Sequence, residues 1–192
     1  KMKSREGKVV DADDIIAEVK NLAVAEIKKR TPEILESDLN ERAGAIGLGA
    51  LKFWLLRVTP TQAIHYNPVE AIAFEGATGP YVQYAHARIA SILKEETPLP
   101  AERVDFNKLT QPEEKILLLK LLVYPKVVAQ AAANFSHNTV CDYLVNLAHA
   151  FNTFYHQLQV LRAPDDETKH ARLWRIKAEQ LVLRSGLARL GI

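Results

Sequence analysis

Apolar residues recur three and four positions apart along most of the chain, the period of helices that bury one side. The first such stripe is Ile15, Val19, Leu22, Ala23 and Ile27. Asp11 precedes it as an N-cap, Asp13 and Asp14 sit where a helix dipole favours acids, and Lys28-Lys29-Arg30 closes it ahead of Pro32. A second helix is predicted after Ser37, with Ala43, Ile46, Gly47, Ala50, Trp54 and Val58 in its stripe. Gly44, Gly47 and Ala50 leave a groove with almost no side chain, where another backbone can approach closely. Between Thr59 and Tyr66 the period fails, and Ile64-His65-Tyr66 reads as a short extended segment.

Asn67-Pro68 caps and opens a short helix, which Glu75-Gly76-Ala77-Thr78-Gly79-Pro80 breaks. Pro80 opens the next, with Val82, Ala85, Ile89, Ile92 and Leu93 as its core stripe and Tyr84, Arg88 and Ser91 flanking it. Thr97-Pro98-Leu99-Pro100 predicts a loop or linker. Thr110 and Glu113 form a capping box for a helix carrying Leu117, Leu118, Leu121 and Leu122, which Tyr124-Pro125 is expected to interrupt. Val140, Leu144, Leu147, Ala148, Phe151, Phe154, Tyr155 and Leu158 then fall within an arc of about 120°, a helix of about six turns. The last helix starts after Pro164-Asp165-Asp166 and carries Trp174, Ala178 and Leu181 as far as Gly186. The expected fold is all-α, an antiparallel helix bundle from Pro80 onward with short connections.

Composition narrows the class. The 48% hydrophobic content of the 192 residues excludes a disordered chain, and 25 Lys+Arg against 23 Asp+Glu, net +2, excludes a polybasic tail binder. Eight Gly and nine Pro are too few for an all-β chain with a turn every ten or so residues. No apolar run approaches the roughly 20 residues that span a bilayer, and nothing at the N-terminus reads as a signal peptide. The lone Cys141 excludes an internal disulfide and fits a reducing compartment. A cytoplasmic protein is expected.

The candidate chemistry is sparse. His149 and His156 share a face of the long helix, but seven residues at about 1.5 Å each separate them by about 10 Å, too far to chelate one ion. No metal site is expected. With Asn152 they form a polar outer face, either solvated or able to read bases. Cys141 reads as a small buried hydrophobe. No nucleophile elbow, Walker A or dinucleotide glycine signature is present, so the chain does not read as a complete enzyme. Lys1, Lys3, Arg5 and Lys8 suit phosphate contact or a solvated terminus. In the last helix six cations, Lys169, Arg172, Arg175, Lys177, Arg184 and Arg189, face three acids, Asp166, Glu167 and Glu179. That net +3 suits RNA phosphates or an ordinary solvated face.

The run Phe74-Glu75-Gly76-Ala77-Thr78-Gly79-Pro80-Tyr81-Val82-Gln83-Tyr84-Ala85-His86-Ala87-Arg88 resembles the segment that opens the anticodon-binding domain of arginyl-tRNA synthetases. Three further pieces occur in that family's order: Lys1 to Val10, similar to the class I signature loop Lys-Met-Ser-Lys-Ser; Ile46 to Phe53; and Leu183 to Ile192. The resemblance covers essentially the whole chain. It implies the C-terminal piece of such a synthetase, with residues 1–71 ending the catalytic domain and residues 72–192 forming the helical domain that grips the anticodon stem and loop. The implied activity is ligation of arginine to its tRNA with ATP and Mg2+ in the full-length protein, the fragment alone being inactive.

The resemblance also implies roles. Lys1, Met2, Lys3 and Ser4 match the ATP loop, with Lys1 and Lys3 as its catalytic cations. Lys3 stands where the pattern usually has Ser, and Ser4 where it has the second Lys. Asp166-Glu167-Thr168-Lys169 falls where the domain's namesake Asp-Ala-Leu-Arg lies, and the family usually continues several residues past Ile192. For contact with tRNA(Arg) the expected residues are Tyr84 and Arg88, Asn152 and Tyr155, and Arg172 and Arg175. Tyr155 lies in the apolar stripe, so core packing competes with base stacking there. The rival reading is a helical protein-interaction module without catalytic role, using the same bundle faces for a partner helix.

Overall fold

A computed structural model describes residues 11–192, and the loop residues Lys1, Met2, Lys3 and Ser4 lie outside them. Its α-helices are α1 (Ala12–Arg30), α2 (Glu36–Arg57), α3 (Pro68–Ala71), α4 (Gly79–Glu95), α5 (Pro112–Ala133), α6 (His137–Gln157) and α7 (Asp166–Arg189), with no strand among the described residues. The all-α expectation holds.

Most helix starts follow from their caps. Asp11 accepts from the Asp13 N–H at 3.1 Å, Asn67 from Val69 at 3.1 Å, and Thr78 from Tyr81 at 3.2 Å. Asp165 takes both the N–H and the hydroxyl of Thr168, at 2.7 and 3.0 Å. Two starts differ from expectation. Helix α2 begins at Glu36 with Leu35, which offers no capping side chain, before it. The capping box of α5 lies one residue later than Thr110 and Glu113: the Gln111 N–H donates to Glu114 at 2.9 Å.

Helices α1 and α2 form a hairpin around Ala23, Ile27, Leu39, Ala43 and Ala50, closed by Ile72. Gly47 permits it, because a Cβ there would stand 3.0 Å from the backbone of Val19 and Lys20; Gly44 has open space. The other side of α2 packs on α4, where a Cβ on Gly79 would meet the Gly49 carbonyl oxygen at 3.0 Å. Phe53, between these faces, joins the main core of Val82, Ile89, Leu117, Leu144, Leu147, Phe151, Phe154, Leu173, Ile176 and Leu183.

Two expectations are corrected here. Pro125 does not interrupt α5, which runs through it; Pro125 itself is exposed, while Tyr124 beside it is buried and donates its hydroxyl to Ser185 at 3.1 Å. Thr97 to Pro100 forms the expected loop, and residues 96–111 do not hang free. They lie along α7, with the Leu99 carbonyl accepting from Trp174 Nε1 at 2.6 Å, Glu96 paired with Lys169 at 2.8 Å and Lys108 with Glu167 at 2.5 Å. Helix α7 passes Gly186, where a Cβ would collide with Leu144, and Trp174, Ala178 and Leu181 are not its core side. Its buried side is Ala171, Arg172, Leu173, Arg175, Ile176, Glu179, Leu183 and Leu187.

Helix α5 also departs from the expectation about membranes: by length and composition it is apolar enough to cross one, at mean hydropathy 1.6. It buries Glu114, Leu117, Tyr124 and Ala131 and leaves Ile116, Leu119, Leu122 and Val123 exposed.

Candidate nucleic-acid interface

Thr78 sets where α4 begins: its Oγ1 accepts from Tyr81 and donates to the Ala73 carbonyl at 2.6 Å. From that start, Tyr84 and Arg88 emerge one turn apart, beside the last turns of α6. Arg88 joins the two helices. Its Nη2 donates to Tyr84 Oη at 3.0 Å and its Nη1 to Asn152 Oδ1 at 3.2 Å. The guanidinium carbon lies 4.7 Å from the Tyr84 ring centroid and 5.0 Å from that of Tyr155.

Both tyrosines stay accessible, at 38% and 36% exposure. Tyr155 also touches Phe151, with centroids 5.9 Å apart, so core packing and surface presentation coexist in one ring. Beside it a cleft of about 340 Å³ is lined by Ile92, Tyr155, His156, Gln159, Val160 and Arg162.

The row continues past the residues expected from sequence. Phe74 stands edge-on to Tyr84 at 6.1 Å, and Arg30, from the end of α1, lies 4.1 Å over Phe74. In sequence Arg30 reads only as a cation closing a helix, and Phe74 only as the first residue of a motif. The signal that could have singled them out is an Arg and an aromatic bordering the glycine-rich break before α4.

Arg172 and Arg175 are corrected. They are 5% and 2% exposed, so neither offers a guanidinium to a phosphate. Arg172 Nε donates to Glu114 at 2.7 Å and its Nη1 to the Gln159 carbonyl at 2.7 Å, which fixes one lip of the cleft beside Tyr155. The Arg175 guanidinium carbon lies over the Phe154 ring, 3.5 Å from its centroid. Among the described residues its guanidinium nitrogens and both oxygens of Glu179 have no hydrogen-bond partner. Burial pulls Arg175 down to about 10 and pushes Glu179 up to about 8, against the mutual attraction of the two charges.

Among the described residues no group of three or more His, Cys, Asp or Glu could hold a metal ion. Cys141 is fully buried, and burial pushes its thiol up to about 12. The row from Arg30 to Tyr155 instead offers planar guanidinium and aromatic faces at the surface. Such groups stack unpaired bases, while cations at the end of the row attract phosphate.

A model of the DALR anticodon binding domain matches residues 82–192. The chain is similar over its whole length to the arginine-tRNA ligases of Porphyromonas gingivalis (36% identical over 198 residues) and Methanocella arvoryzae (36% over 192), covering 33% of each. Among solved structures it resembles Thermus thermophilus arginyl-tRNA synthetase, with a TM-score of 0.90, 32% identity, all of this chain and 32% of that one covered. The Plasmodium falciparum arginyl-tRNA synthetase shares the fold, with a TM-score of 0.83 at 22% identity over 96% of this chain and 33% of that one. The chain thus spans about a third of the length of the relatives it matches. With more than half of its residues matched, the chain belongs to the DALR anticodon-binding domain family.

Proposed function

We propose that this chain is the C-terminal part of an arginyl-tRNA synthetase, a cytoplasmic ligase that joins arginine to its tRNA using ATP and Mg2+. Residues 1–71 then end the catalytic domain and carry the ATP loop, Lys1 to Ser4, with Lys1 and Lys3 as its cations. Residues 72–192 grip the anticodon stem and loop of tRNA(Arg).

The observation that carries this reading is the Arg88 bridge, which fixes Tyr84, Asn152 and Tyr155 in one half-exposed patch inside the matched domain. Bases of the opened anticodon stack on the faces of Tyr84 and Tyr155. The Asn152 Oδ1 is taken by Arg88, which leaves its amide N–H groups to donate to a base edge. Arg30 meets the backbone at the far end of the row. Phosphate contacts hold the RNA there, and the tyrosines and the amide choose among loops. A helical interaction module with no tie to this reaction is disfavoured, because the domain match and the whole-length similarity to ligases leave it nothing to explain.

The test is a titration with tRNA(Arg) and with a tRNA bearing an unrelated anticodon, each at two salt concentrations. Tyr155→Ala is expected to weaken tRNA(Arg) by about 1–3 kcal/mol, roughly 5- to 150-fold, at unchanged salt slope. Arg30→Ala is expected to lower the slope by about 1. Equal, salt-independent affinity for both tRNAs would overturn the reading.

A further inference from the structure

Helix α7 has two apolar sides. One is the core side; the other carries Trp174, Ala178 and Leu181, a stripe at i, i+4 and i+7 that faces outward beside α4. There the two helices border a groove of about 490 Å³, lined by His86 from α4 and by Trp174, Lys177, Ala178, Leu181 and Arg184 from α7. Leu181 is 66% exposed, and among the described residues no carboxylate lines the groove.

The groove is fixed in shape. Trp174 is held by its Nε1 on the Leu99 carbonyl, and Lys177 Nζ sits 4.4 Å over its ring. Burial and the Arg184 charge keep His86 below its ordinary value, hence neutral at pH 7. The positive charge therefore comes from Lys177 and Arg184, seven residues or about 10 Å apart along α7, with Leu181 between them.

We propose that this groove docks an acidic amphipathic helix of a protein partner. Two carboxylates seven residues apart reach Lys177 and Arg184, and leucines three and four positions on from the first cover Leu181 and the edge of Trp174. Nucleic acid fits less well. A phosphate chain has nothing to lay on an exposed leucine, and the Trp174 Nε1–H that could donate to it is already given to the Leu99 carbonyl. His86 is two residues from both Tyr84 and Arg88, which turns it about 200° around α4 from each, so the groove and the aromatic row lie on different sides of the bundle.

The test uses the chain with Trp54→Phe, which leaves Trp174 as the only tryptophan. The probes are an 18-residue helical peptide with glutamates seven apart and leucines between them, a scrambled peptide of the same composition, and oligouridylate. The expected result is a saturable change in Trp174 emission with the patterned peptide and at least tenfold weaker binding of the scrambled one. A tenfold loss is also expected in Lys177→Glu with Arg184→Glu, and in Leu181→Ser. All three positions are exposed, and unchanged far-UV circular dichroism verifies that the fold is intact. Equal affinity for both peptides would reduce the groove to a charge attraction and overturn the proposal. So would displacement of the peptide by oligouridylate, or the absence of any saturable response.

Discussion

Arg172 on α7 and Glu114 in the first turn of α5, 58 positions apart in the chain, meet in the interior with Nε 2.7 Å from Oε1. The other oxygen of Glu114 caps α5 through Gln111, and Nη1 of Arg172 holds the Gln159 carbonyl beside Tyr155. One buried ion pair thus ties the start of α5, the body of α7 and the α6–α7 connection together. Arg172 acts on the proposed RNA surface as a positioning residue, from behind it.

Arg172→Ala is therefore expected to cost about 3–5 kcal/mol in urea unfolding, because it leaves a buried carboxylate without its partner. Arg172→Met combined with Glu114→Gln, which keeps an acceptor for the Gln111 N–H, is expected to recover more than half of that loss. A double-mutant cycle reads the coupling. A cost below about 1 kcal/mol would mean that water solvates Glu114 at no penalty.

Glu179 is expected to make stability fall with rising pH. Its value is about 8 in the fold against an ordinary 4.5, so the folded chain holds this proton more tightly than the unfolded one. The stabilisation is complete below about 4.5 and is lost as pH rises through about 8. Glu179→Gln cannot lose a proton, so its advantage over the parent should widen from pH 5 to pH 8.5 in urea titrations. Parallel pH profiles would show that Arg175 already neutralises the carboxylate.

Gly47 and Gly44 lie one turn apart on α2 and should respond oppositely to alanine. Gly47→Ala drives a methyl into the α1 backbone at 3.0 Å and is expected to cost about 1–3 kcal/mol. Gly44→Ala meets nothing within 4 Å and should stabilise by about 0.5–1 kcal/mol through helix propensity. Thermal unfolding of the pair separates close packing from backbone entropy.

Arg88→Lys keeps a positive charge but loses the planar fork that bridges Tyr84 and Asn152. If the patch reads bases through fixed planes, this variant should weaken tRNA(Arg) binding nearly as much as Arg88→Ala, at an unchanged salt slope. Full retention of affinity by the lysine variant would make Arg88 a simple phosphate contact.

What could be read from sequence followed from local physics. A cap acts on the next three residues and a stripe on the next two turns, so α1 with its Asp11 cap, α4, α6 and the inward side of α6 were legible from spacing alone. The motif at 74–88 carries Tyr84 and Arg88 at i and i+4, which α4 sets one turn apart on one face.

What spacing could not decide depended on partners distant in the chain. Nothing near Arg172 indicates that Glu114 waits in the core, and without that partner a guanidinium belongs in water, so six cations on one helix looked like a basic face. The same helix has apolar residues on both sides, and only the neighbours that pack on it decide which side is inside; they chose Leu173, Ile176 and Leu183 and left Trp174 and Leu181 outward. Arg88 needed α6 beside α4 before its two tyrosines became one surface. The sequence determined the helices and most of their ends, whereas the tertiary structure decided which charges are buried, because desolvation is settled by atoms that arrive from elsewhere in the chain.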